Sequence, residues 1–130
     1  MRRLWLSVIG TALLATAGVY AHHSYADFLV DQPVSIEGDL VDVLYANPHV
    51  MLKLKAGDSR TYTAEWRAWS QLSRRGMTER VLNPGDHLIV TASPARNPDV
   101  YRLALIREIR RPADGWSWVR TVPSASSQDR

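Results

Sequence analysis

The sequence predicts a mainly β fold, an OB-like five-stranded antiparallel barrel with one short helix after the third strand. Three observations predict it. Three segments of period-two hydrophobicity precede one short helical segment, and two more follow it, which is the OB element order. The first strand changes phase beside a glycine, as a strand serving two sides of a small barrel must. No internal repeat points to another architecture. An open antiparallel sheet with a helix on one face is the competing arrangement of the same elements.

The elements follow in order. Ser24 to Pro33 reads as a lead-in, with Tyr25, Phe28 and Leu29 able to dock it. Val34 to Tyr45 is the first strand. Val34, Ile36, Gly38 and Leu40 share one face, and then Val41, Val43 and Tyr45 take the opposite phase. Ala46-Asn47-Pro48 is a turn, because proline cannot donate to a ladder and restricts the residue before it. His49 to Ala56 is the second strand, Gly57-Asp58 turns the chain, and Arg60 to Trp66 is the third.

Ala68 to Arg75 has helical residues, with Trp69 and Leu72 on one side. Arg74 and Arg75 suit the negative C-terminal end of that helix, and Gly76 suits the position just past it. Asn83-Pro84-Gly85-Asp86 is a strong turn. His87 to Ala92 is the fourth strand, and Tyr101 to Arg110 is the fifth. Asp114-Gly115 turns once more before the Trp116-Ser117-Trp118 pair. Leu40, Val50, Leu52, Leu54, Ala64, Leu88, Val90, Leu103 and Leu105 are the expected core.

The start of the chain carries an address. Arg2 and Arg3 precede an apolar run from Leu4 to Val19, and Val19 and Ala21 place small residues at the −3 and −1 positions of a cleavage site. A retained membrane anchor is the alternative, since the run approaches the ~18 residues of a span. The expected division is a signal peptide over 1–21, a barrel domain over 22–115 and a C-terminal tail over 116–130. The location is then the periplasm or beyond the cell, with no membrane attachment after signal removal.

Removing residues 1–21 leaves 109 residues with 14 basic and 13 acidic side chains, so most of the formal charge of +3 leaves with the signal. The remaining balance gives no concentrated basic surface, and a nucleic-acid partner is not expected. The chain has no cysteine. Disulfides, thiolate metal sites, haem attachment and cysteine nucleophiles are therefore excluded.

His22-His23-Ser24 follows the expected cut directly. An N-terminal histidine offers its α-amine and a ring nitrogen to one metal ion, and His23 adds an imidazole. His49 stands after a rigid Asn-Pro turn at the mouth of the second strand. His22, His23 and His49 thus form a candidate metal site, and nitrogen-rich ligation favours copper. Asp27 or Glu65 could add an oxygen. The plainer reading makes His22 and His23 a solvated terminus and His49 a strand-start residue bonded to a turn carbonyl.

Trp116 and Trp118, two apart in an extended segment, share a face and are the candidate ligand-binding aromatics. Their partner would be a protein or an oligosaccharide. Tyr45, Tyr62, Trp66 and Trp69 read as core packing or as a stacking face. No Gly-x-Ser-x-Gly elbow or fixed carboxylate pair is present, so an enzyme is not expected. Oxidation in the manner of histidine-brace oxygenases would use the same ligands, but ligands alone do not make an activity.

Ala21-His22-His23-Ser24-Tyr25, Asn47-Pro48-His49-Val50, Arg75-Gly76-Met77-Thr78, Pro84-Gly85-Asp86 and Asp114-Gly115 together resemble the landmarks of a group of small exported bacterial proteins of unknown function. The resemblance runs over roughly residues 21 to 115 and implies an OB-like barrel. Two loops depart from it. Arg67-Ala68-Trp69-Ser70 stands where a Gly-Ser-Pro-like segment is usual, and Asn97-Pro98-Asp99 lacks the usual glycine. The resemblance implies no activity.

Overall fold

The computed structural model describes residues 25–122. Its elements are β1 (Val34–Leu44), β2 (Met51–Ala56), β3 (Thr61–Glu65), α1 (Trp69–Arg74), β4 (His87–Pro94), β5 (Arg102–Arg111) and β6 (Trp116–Val119). Sheet order is β3-β2-β1-β4-β5-β6, and β3 pairs with β5 as well. That last pairing closes β1 to β5 into a barrel, with α1 after β3 as the sequence predicts.

β1 is the strand that turns the corner. Its first half pairs with β4, from Val34 opposite Ala92 to Asp39 opposite His87, and its second half pairs with β2. Both halves meet at Gly38, where a Cβ would lie 2.4 Å from the Lys55 carbonyl oxygen. Only glycine permits that approach. A bulge follows. Leu40 faces Leu54 and Asp42 faces Lys53, which leaves Val41 without a partner and 47% exposed. The extra residue reverses the inward phase, so Leu40 and then Val43 point to the core.

The predicted core residues Leu40, Val50, Leu52, Leu54, Ala64, Leu88, Val90 and Leu103 are all buried. Leu105 is not. Thr91 pairs with Glu108 and Ser93 with Ala104, so Ala92 alone faces Leu105, Ile106 and Arg107. This bulge puts Leu105 in the left-handed region at φ 52° and hands its inward place to Ile106 and Ile109. Strict alternation along β5 could not anticipate a two-residue insertion.

Residues 116–119 extend the sheet where the sequence suggested a tail. β6 pairs antiparallel with β5 from Arg111–Trp116 to Glu108–Val119. Arg111 fixes the turn that leads into it. Its guanidinium donates to both Asp114 oxygens, to Asp86 Oδ2 at 2.9 Å and to the Val81 carbonyl at 2.6 Å. The Asp114 bond chiefly raises the Arg111 pKa, and the same bond holds the Asp114 carboxyl below its usual range.

α1 is too short to persist alone and is held at both ends. Ala68 offers no side-chain cap. Instead Asn47 Oδ1 accepts from the Ser70 N–H at 3.0 Å, and the Ala46 carbonyl accepts from the Trp69 N–H. At the other end Met77 N–H donates to Leu72 O and Gly76 N–H to Ser73 O, with Gly76 at φ 100°. This double closure requires a left-handed residue, and the sequence supplies the glycine. Among the described residues no helix is long and apolar enough to cross a membrane.

Candidate functional site

β3 and β5 run parallel and pair only at Thr63–Arg102 and Ala64–Leu103. Beyond those pairs the strands part, and a pocket of about 270 Å³ opens between them. Glu65, Trp66 and Arg67 form one wall, Leu105 and Ile106 another, and His49, Tyr25 and Arg120 complete the rim. The β5 bulge that displaces Leu105 from the core thus places it in the pocket wall.

The lead-in brings Tyr25 to this rim. Phe28 is buried and bridges to Ala95, Leu29 N–H donates to Pro94 O, and Arg96 donates from its backbone to Asp27 O and from Nε to Ala26 O at 2.7 Å. Arg107 donates to the Val30 carbonyl. Residues 25–30 are therefore tied to the barrel at several points, which holds Tyr25 at the pocket.

His49 is set by its neighbours. Pro48 follows the Asn47 that caps α1, with a cis peptide between them. Val50 N–H donates to Arg67 O and Trp66 N–H to Val50 O, which aligns β2 with the exit from β3. His49 Nδ1 lies 3.0 Å from the Trp66 carbonyl oxygen. A carbonyl can only accept, so Nδ1 carries the proton and a neutral ring has its lone pair on Nε2. Metal-binding histidines are commonly oriented in this way, with the non-ligating nitrogen donating to a carbonyl.

The opposite wall is cationic. Arg67 is half-buried, its Nε is buried without a partner among the described residues, and its guanidinium lies 6.0 Å from the Trp118 ring centroid. Burial, then Arg75 and Arg120, lower its pKa from the usual arginine value. Trp66 Nε1 is likewise buried with no partner among the described residues. Each such orphaned donor costs about 1–3 kcal/mol. Glu65 is the acidic residue of the pocket, and it accepts from Arg102 Nη2 at 2.7 Å.

The predicted site residues are distributed as follows. His22 and His23 lie outside the described residues. His49 lines the pocket, as does Glu65, whereas Asp27 is exposed in the lead-in. Among the described residues no three His, Asp or Glu side chains gather as a metal-holding group. Trp116 and Trp118 are half-buried and line a second groove with Leu72, Arg75, Met77 and Val81. Trp118 also meets Trp66 edge-on at 5.2 Å.

The other aromatics are engaged internally. Tyr45 packs edge-on against Trp69 at 5.2 Å, donates its hydroxyl proton to Leu82 O and accepts from Leu82 N–H. Burial raises its pKa. Tyr62 packs against Tyr101. Sequence reasoning missed Arg67 and Arg120 as pocket residues. A signal existed in Trp66-Arg67-Ala68-Trp69, where an arginine interrupts apolar chemistry at the end of a strand.

Residues 11–103 match a family described only as a family of unknown function. No curated protein and no solved structure matches the chain.

Proposed function

That family is DUF6152, the chain belongs to it, and from that premise we propose that this OB-like barrel is an exported binding module whose rim pocket takes a copper ion. His22 and His23, freed at a new N-terminus by signal cleavage after Ala21, would act with His49. The observation that carries this reading is that His49 and Tyr25 line one pocket, with Nε2 of His49 left as the available nitrogen. His22 stands three positions before Tyr25, a reach of at most ~11 Å.

Cleavage and binding are then one event. Before processing, the His22 nitrogen is an amide without an available lone pair. Afterwards it is an amine with a reference pKa near ~8, which a metal displaces readily. The guanidiniums of Arg67 and Arg120 give no electrostatic help to a cation, so the nitrogen donors must hold it. Protons compete for the imidazoles, so affinity falls as pH drops through roughly 6.5.

Cu(II) titration of protein beginning at His22, beside protein with one additional N-terminal alanine, tests the proposal. Tight binding by the first and a large loss in the second is the expected result. Equal affinities would remove the amine from the ligand set, and no binding by either would end the metal reading.

A second reading rests on the groove between α1 and β6. Trp116 and Trp118 present half-exposed rings there beside Met77 and Val81, a surface suited to a protein segment or a sugar. Trp116→Ala would abolish such binding and leave Cu(II) affinity intact, whereas His49→Ala would do the reverse.

A further inference from the structure

We propose that the rim pocket is also a binding site for a small organic carboxylate, with Arg67 and Arg120 receiving the carboxylate and Trp66, Leu105 and Ile106 receiving the apolar body. The site goes beyond the copper reading and requires neither His22 nor His23.

The charge of the wall sets the ligand's sign, and its orphaned donors agree with it. Trp66 Nε1 and Arg67 Nε are buried, unpartnered among the described residues, and both are donors with no capacity to accept. What satisfies them must be an acceptor. Beyond the effect of burial, Arg75 and Arg120 both lie close enough to Arg67 to depress its pKa, so three guanidiniums gather at this end of the barrel. Among the described residues none of the three has an ion-pair partner: Arg75 donates to the Thr121 hydroxyl, and the pocket's Glu65 is taken by Arg102. An anion is the acceptor that also relieves that excess charge.

Shape selects among anions. A guanidinium matches a carboxylate as a planar, two-point partner. Arg67 is pre-positioned for this by its place over the Trp118 ring. Beside the polar His49, Glu65 and Gln71, part of the lining is apolar or aromatic, from Trp66, Ile106 and the displaced, half-exposed Leu105. That apolar part gives no recognition to a bare inorganic ion. The volume of about 270 Å³ lies just below that of sites for drug-sized molecules, which suits a guest of one ring or a short chain.

Benzoate, benzamide and inorganic phosphate are suitable probes, applied to the processed chain in the presence of a metal chelator. Isothermal titration and amide NMR shifts would follow binding. Benzoate is expected to bind and to shift residues 65–67, 105–106 and 120, with benzamide and phosphate at least ~10-fold weaker. Arg67→Gln and, separately, Arg120→Gln are each expected to weaken benzoate by ~10-fold or more. Arg120 follows the last strand, so its variant retains the test if Arg67→Gln fails to fold. Benzamide equal to benzoate would overturn the carboxylate. Phosphate equal to benzoate would overturn the apolar body, and unchanged binding by Arg120→Gln would overturn the site. The chelator keeps the outcome separate from copper binding.

Discussion

Two histidines stand among the described residues, and their surroundings are opposite. His49 looks into the rim pocket with Nδ1 donating to a backbone carbonyl and two arginines nearby. His87 lies exposed on the outer face of β4, with Nδ1 2.7 Å from Asp39 and Nε2 2.8 Å from Glu37. Glu37 first, then Asp39, raise the His87 pKa. Two carboxylates clamp one ring as a cation and occupy both of its nitrogens. One carbonyl orients the other ring and leaves a nitrogen over. A histidine's chemistry is decided by what its second nitrogen meets, and the sequence lists the residue without that neighbour.

Exchanging the two positions is the strongest way to break this contrast. His49→Gln is expected to weaken Cu(II) by more than the ~10–100-fold that loss of a supporting group costs, while His87→Gln leaves it unchanged. Competition titration against a chelator of known affinity would measure both. Equal losses would show that neither ring is special.

The next largest effect tests how firmly the rim is built. Tyr45→Phe removes a hydroxyl that both donates to and accepts from Leu82. It should destabilise the fold by about 1–3 kcal/mol, since buried partners are left unsatisfied. Asn47→Ala should cost about 0.5–2 kcal/mol through loss of the α1 cap. Urea unfolding would measure each. Because Asn47 also precedes the Pro48-His49 pair, its variant should weaken the His49 site more than Tyr45→Phe does.

The smallest effect belongs to His87 and sharpens the comparison through pH. Its folded pKa is raised, so its stabilisation is complete below the unfolded value of ~6.5 and disappears as pH rises through the folded pKa. The melting difference between the parent and His87→Gln should be larger below pH ~6.5 than above it, and should shrink as pH rises. Added salt should shrink it, because all three groups face water.

Much of the barrel was legible because its signals are local. Alternation marked the strands, Gly38 marked the bend in β1, and Gly76 marked the end of α1. Leu105 was misplaced because a bulge in β5 depends on how β4 lies beside it, which no single strand reveals. β6 was read as an extended tail because four residues hold too few alternations to declare a pairing partner. At the site, Asn47-Pro48-His49 was visible as a motif, but its first residue serves as a cap for a helix twenty-two residues later. Arg67 and Arg120 come together only through the closure of the barrel.

That closure has a kinetic consequence. β1 and β4 share six paired residues, whereas β3 and β5 share two. The short parallel contact is the place where the cylinder unzips first, so its amides, such as that of Thr63 donating to Tyr101 O, should exchange with solvent ahead of those between β1 and β4. The pocket lies on the same line of weakness. A guest held by Arg67 on one lip and packed against Ile106 on the other would act as a staple across the seam, slowing its opening without touching a single backbone hydrogen bond.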